Sequence, residues 1–187
     1  MLFARRSTGR LVAPAPSPAD LQTILRAAAA APDHERLRPF RFTVLSGTAL
    51  DAFGDVLASA YDARCTAAGT EPVAAKRDKE RTKLGRAPLV LVVSAVRHPS
   101  AKVPWDEQLA AVAAAAQNAC LAATALGYGS MWRTGEPSYD PNVKAALGLG
   151  ADDAIVGWLY LGSFRNGAAP PPNDPSLAGL LLRWPPP

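Results

Sequence analysis

The chain has 187 residues, 49% of them hydrophobic and 19% charged, and its mean hydropathy is +0.01. That balance suits a globular chain long enough to bury a sizeable core, and it excludes the compositions of membrane-spanning and disordered chains. The formal net charge is +4 with dispersed basic residues, which permits an anionic ligand but lacks the concentrated basic stripe of a nucleic-acid surface.

Cys65 and Cys120 lie far apart and the two histidines are His34 and His98, so neither a disulfide framework nor a zinc site is expected. Met1 to Ala4 is too short for the apolar segment of a secretory signal, and a cytoplasmic chain is expected. One domain over 1–187 is expected, with 163–187 as a proline-rich extended tail.

Arg5-Arg6-Ser7-Thr8-Gly9-Arg10 is a basic cluster with two hydroxyls. It reads either as a solvated tail or as an anion cradle, since guanidinium forks match phosphate oxygens. Ser17, Pro18 and Asp20 mark a helix start, and Leu21, Ile24, Leu25 and Ala28 give it one apolar face. This helix must end before Pro32. The charged loop from Pro32 to Pro39 holds Asp33 and His34, the latter either a solvated side chain or a binding group. Phe40, Phe42 and Val44 alternate with polar residues as a half-buried strand does.

Thr48 to Gly69 predicts a second helix, with Thr48 and Asp51 spaced as a capping box. Residues 70–86 are the most polar stretch and read as an exposed helix, a lid or a mobile excursion. Pro88 to Val96 is continuously apolar, the pattern of a strand covered on both faces.

Pro104 to Thr134 organises the chain. Asp106 and Glu107 put negative charge near the positive end of a helix of about 22 residues that Gly127 closes. Almost every face of it is apolar, which predicts burial all round, and its alanines allow another helix to approach closely. Gln117 and Asn118, with so much alanine, argue against a membrane span. A glycine turn then leads into Met131-Trp132-Arg133-Thr134. Asp140-Pro141 opens a short helix, Ile155 to Gly162 is a further apolar strand, and the chain ends Trp184-Pro185-Pro186-Pro187. Strands alternating with helices place the fold in a layered α/β or α+β class.

Neither a nucleophile–base pair nor a phosphate-binding glycine motif occurs, so residue chemistry alone reaches a globular domain with an anion site. Four ordered stretches nevertheless resemble the FMN-dependent nitroreductase family, in its short branch. They are Arg5-Arg6-Ser7; Ala31-Pro32-Asp33-His34 with Arg38-Pro39-Phe40-Arg41-Phe42; Arg86-Ala87-Pro88-Leu89-Val90; and Lys102 through the alanine-rich helix to Gly127-Tyr128-Gly129-Ser130-Met131-Trp132-Arg133-Thr134-Gly135. Ile155 to Gly162 resembles the family's closing strand.

The resemblance implies a three-layer αβα sandwich with a central mixed sheet and a long buried helix at a homodimer interface. It implies that Arg5, Arg6 and Ser7 hold the phosphate and ribityl chain of FMN. Pro32, Asp33 and His34 would reach the flavin from the partner subunit, and Trp132, Arg133 and Thr134 would run along its ring. Ala122 to Gly127 matches a region associated with the nicotinamide nucleotide. Arg38 stands where a glutamine is usual, and Arg165 is the candidate to complete the phosphate site. The flavin would carry the chemistry without a catalytic dyad. NADH or NADPH would be the donor, and a nitroaromatic, quinone or similar molecule the acceptor. Another reduction or dehalogenation, and a flavin-binding module without turnover, are the alternatives. No nucleic-acid or membrane partner is expected.

Overall fold

The computed structural model describes residues 2–99, 102–172, 174–182 and 184; the expected proline ending at 185–187 lies outside the described residues. Its strands are β1 (Leu11–Val12), β2 (Phe40–Ser46), β3 (Leu89–Ala95), β4 (Gly129–Arg133) and β5 (Ala154–Phe164), and its helices are α1 (Pro18–Ala29), α2 (Thr48–Ala67), α3 (Ala74–Thr82), α4 (Trp105–Ala125) and α5 (Pro141–Ala146). Beyond Phe164 the described residues form neither helix nor strand, so the last strand runs two residues past the expected Gly162.

The helix starts follow local chemistry. Ser17 caps α1 by accepting a hydrogen bond from the Asp20 amide at 3.1 Å, as its spacing predicts. Asp140 caps α5 by accepting from the amides of Asn142 and Val143. The expected capping box of α2 does not form: its N-cap is Gly47, at φ 56°, with no side-chain bond. Thr48 is already helical there, so its hydroxyl sits one position too late to cap.

The sheet is built around β5, which pairs antiparallel with β3 and with β4 through the same residues, Trp158 to Leu161. β3 and β4 therefore flank it on opposite edges. β2 extends the sheet beyond β3, and β1 pairs with the end of β5. The expectation of a mixed sheet changes here: all four ladders are antiparallel, and the parallel pairing among described residues is an isolated bridge between Ser7 and Ser130. The connections explain it. α2 carries the chain away from the end of β2, and the α3 segment brings it back to that end, so β3 must run antiparallel.

All seven residues of β3 are buried, because both faces are covered. Leu89, Leu91, Val93 and Ala95 meet Ile24 and Ala28 of α1 and Val112, Ala115, Ala119 and Cys120 of α4. Val90 and Val92 meet Phe53 and Leu57 of α2 and Val143 of α5. A bulge opposite Val93 and Ser94 switches the parity of β5, so Ile155 and Trp158 share the α2 side although three residues apart. The result is three layers, α–β–α.

In the single chain α4 is not buried all round. Ala111, Val112, Ala115, Ala116, Ala119, Cys120 and Ala123 are buried, whereas Ala110 and Gln117 are exposed and Ala113, Ala114 and Leu121 half-buried. A helix lying between a sheet and α1 is covered only on those sides, and its apolar outer face is left open.

Candidate functional site

The N-terminal segment lies beside β4. Ser7 bridges Ser130, and the Thr8 amide donates to the Ser130 carbonyl at 3.1 Å. Arg5 approaches Ser7 Oγ at 3.5 Å, and Arg6 donates to the Pro171 carbonyl at 3.1 Å. Neither arginine has a carboxylate partner among the described residues. Thr8 Oγ1 and Ser130 Oγ are buried without a hydrogen-bond partner. Burial pushes the pKa of the Cys120 thiol in α4 up, opposed first by its contact with the Ser130 hydroxyl and then by the charge of nearby Arg5.

Strand alternation sends Trp132 and Arg133 to opposite faces of the sheet. Trp132 packs on the α4 side, over Gly157, and its Nε1 donates to the Val156 carbonyl at 3.1 Å. A Cβ on Gly157 would come within 2.2 Å of that nitrogen, so the ring position requires glycine. Arg133 instead enters the α2 side. Its guanidinium carbon lies 5.9 Å from the centre of the Tyr160 ring, and its Nε is buried and unpartnered. A surface ion pair, the ordinary role for such an arginine, is not what holds it. Arg133 and Thr134 line a cavity of about 60 Å³ together with Lys83 and Arg86.

Lys83 and Arg86 also line a neighbouring cleft of about 470 Å³, with Arg10, Lys79 and Arg165. The sequence pattern has Arg10 only in the basic cluster that could cradle an anion and gives Lys79, Lys83 and Arg86 no place in a site, with 70–86 expected as an exposed helix and lid or a mobile excursion. The structure divides that stretch by helical period. Arg77 and Arg81 point back to α2, where they meet Asp62 and Asp55 at 2.7 Å each. Lys79 and Lys83, offset by half a turn, face the cleft. The two interleaved i,i+4 pairs were the available signal. Gly54 of α2 allows the close contact, since a Cβ there would sit 2.1 Å from the Arg81 carbonyl oxygen. Of the five cations in the cleft, only Lys83 has an acidic partner among the described residues, Glu80 at 2.6 Å. Unpaired cations converging on one concavity hold a positive potential that an anion relieves. The geometry also places the candidate Arg165 in this group.

Pro32, Asp33 and His34 stand elsewhere. They line an open groove of about 540 Å³ with Glu107, Ala110, Ala111 and Ala114 on the N-terminal half of α4. His34 Nδ1 lies 2.8 Å from Glu107 Oε2, and that bond raises the histidine pKa above its ordinary value. Asp33 organises the turn: its carboxylate accepts from the Arg38 amide at 2.6 Å and its carbonyl from the Arg36 amide at 3.1 Å. Glu35, Arg36 and Arg38 are held at φ 57°, 56° and 51°, a conformation costly for non-glycine residues and concentrated at functional sites. This groove shares no lining residue with the two basic cavities. From Glu107 to Cys120 the helix rises about 20 Å, so within one chain His34 does not join Arg5.

The sequence model of the nitroreductase family matches residues 2–163. The chain belongs to the nitroreductase family. It is 40% identical over 164 residues to YdjA of Escherichia coli K12, a protein named for an NAD(P)H nitroreductase activity, covering 87% of this chain and 86% of YdjA. A nitroreductase-like protein from Bacillus cereus superposes with a TM-score of 0.77 at 24% identity, over 95% of this chain and 90% of that one. A nitroreductase from Desulfovibrio desulfuricans, solved in complex with FMN, gives 0.70 at 26% identity over 98% and 94%. The nitroreductase-like α+β sandwich expected from the motifs is the fold observed.

Proposed function

We propose that this nitroreductase-family chain is an FMN-dependent NAD(P)H oxidoreductase that reduces nitroaromatic, quinone or similar acceptors and works as a homodimer. One observation carries the reading: a cleft of five cations, all but Lys83 without an acidic partner among the described residues, that shares Lys83 and Arg86 with the cavity at the end of β4 by Arg133 and Thr134. FMN combines an anionic phosphate with a ring that becomes negative on reduction, and the residues present fit both demands. Arg5, Arg6 and Ser7 supply donors for the phosphate and ribityl chain. The buried, unpartnered hydroxyl of Thr8 and Nε of Arg133 are donors without protein acceptors, the state expected of groups that meet a ligand.

Bound FMN supplies hydride transfer between the nicotinamide and the acceptor. The chain's own residues bind and orient. Trp132 fixes the path of β4, so that Thr134 presents its backbone at the strand end. Arg133, half-buried beside Tyr160 with its Nε out of water, provides positive potential that is strengthened where water is excluded. Pro32, Asp33 and His34 lie too far along α4 to serve their own chain's cluster, and the reading assigns them to the partner's site. The open apolar face of α4, with Ala110, Ala113, Ala114 and Leu121, suits the helix–helix contact this requires. The same reading takes 1–187 as one domain and places it in the cytoplasm, where reduced nicotinamides are supplied.

The test is a visible spectrum of the purified protein before and after anaerobic NADH or NADPH. A yellow protein bleached by a nicotinamide and restored by a quinone is expected. A colourless protein sinks the reading, and a yellow protein that neither nucleotide bleaches reduces it to a flavin-binding module.

A further inference from the structure

The structure assigns a second chemical role, resting on the proposed flavin reading: we propose that His34 and Glu107 form a proton-delivering dyad, with His34 giving its Nε2 proton to the oxygen of an acceptor as the acceptor takes a hydride.

Three observations meet at this place. First, Nδ1 of His34 is held by Glu107 at 2.8 Å, which fixes the proton of that nitrogen toward the carboxylate and leaves Nε2 as the outward-facing group. No hydrogen bond engages Nε2 among the described residues. Second, the pair opens on a groove of about 540 Å³ whose other walls are Pro32, Asp33 and, on α4, Ala110, Ala111 and Ala114, on the face that the dimer reading turns toward the partner, so the groove borders the shared site. Third, the turn carrying His34 is kept in a strained form by Asp33, with Glu35, Arg36 and Arg38 all left-handed, so the ring's position is imposed rather than relaxed.

Reduction of a quinone consumes two electrons and two protons, and a hydride brings only one of the protons. As the hydride arrives, the acceptor oxygen becomes a phenolate; the N–H bond at Nε2 breaks, an O–H bond forms, and the imidazole is left neutral against Glu107. In the single chain its side chain is 63% exposed, and water at the mouth of the shared site returns the proton before the next turnover. The charged groups facing the ring are Glu107 from α4 and Asp33 and Glu35 from its own turn, all acidic, and all favour the protonated ring. Glu107 thus acts through His34, as a positioning residue, and His34 itself touches the acceptor.

The chain has two histidines, so proton NMR can follow the His34 ring directly in the FMN-loaded protein. Glu107→Gln should lower the His34 titration midpoint. In stopped flow, reoxidation of the nicotinamide-reduced protein by benzoquinone should fall about tenfold per pH unit above that midpoint and shift with it in Glu107→Gln. Ferricyanide takes electrons and no proton, so its reoxidation rate should not follow the midpoint. His34→Gln should slow benzoquinone at least tenfold more than ferricyanide. An NMR midpoint unmoved by Glu107→Gln overturns the dyad. So does a benzoquinone profile that stays put when the midpoint moves, or an equal loss for both acceptors in His34→Gln. A protein that binds no FMN overturns the flavin reading and the proposal together, whereas normal bleaching with any of those three results overturns the proposal alone.

Discussion

At the scale of single residues, the site depends on atoms that are absent as well as present. Gly157 has no Cβ, and the Trp132 ring occupies that space. Gly157→Ala should therefore expel the ring from the sheet and disturb the end of β4. A red shift of tryptophan emission or a loss of its polarisation, and destabilisation of about 2 kcal/mol by urea unfolding, are expected. Wild-type stability would show that the ring can move aside.

Arg5 poses the opposite case, a charge with no acidic partner among the described residues. If it holds a phosphate, Arg5→Ala should weaken FMN binding by about 2 kcal/mol, roughly thirtyfold, with little change in folding. FMN affinity within about twofold of wild type would return the segment to a tail. The Cys120 thiol offers a pH test, because burial pushes its pKa up. A group whose folded pKa is raised contributes stability that is complete below its unfolded value, about 8.5, and fades as pH rises past it. Cys120→Ala should flatten the alkaline decline in unfolding free energy, and an unchanged slope would show that other groups set it.

At the scale of elements, two joints carry most of the arrangement. Asp140 caps α5 and also pairs with Arg64 of α2, with its carboxylate fully buried. Asp140→Ala removes the cap and leaves the guanidinium without its nearest acid, so a loss of about 3 kcal/mol is expected from denaturant titration. A cost below about 1 kcal/mol would mean that Glu136, 3.7 Å from the same arginine, takes over. The second joint is α3 on α2. Arg77 and Arg81 tie it down through Asp62 and Asp55, and this turns Lys79 and Lys83 toward the basic cleft. The polar stretch that looks mobile in sequence is thus a fixed wall, because two of its arginines are tied to carboxylates of a neighbouring helix.

At the scale of the whole molecule, α4 holds two candidate clusters apart. Arg5 lies near Cys120, while His34 lies at Glu107, about 20 Å along the helix. Two chains packed with antiparallel α4 helices would bring one cluster of each together. Take one chain with Arg5→Ala and a partner with His34→Ala, each inactive as a homodimer but folded. If each pocket draws on both chains, the mixed dimer concentrates both defects in one pocket and leaves the other intact. Separately tagged, co-purified heterodimers should recover about half of wild-type activity if the pockets act independently. No recovery would mean that both residues serve a pocket of their own chain.

Local chemistry was enough for the helix starts at Ser17 and Asp140, for the buried strand at β3 and for the long helix from Trp105. Caps, propensity and apolar runs act over a few residues, and that information is written consecutively. The ordered motifs also pointed to the family and to the residues named for its cofactor. What sequence left open was decided by neighbours distant in the chain. The return path of α3 made the sheet antiparallel, and the bulge in β5 chose the face of Ile155. Strand alternation separated Trp132 from Arg133. The helical offset between Arg77–Arg81 and Lys79–Lys83 became meaningful only once Asp55 and Asp62 were in place to claim the first pair. Burial of α4 was overestimated for the same physical reason: an apolar helix face states that it needs a cover, and only the tertiary structure shows which side the chain itself covers and which it leaves open.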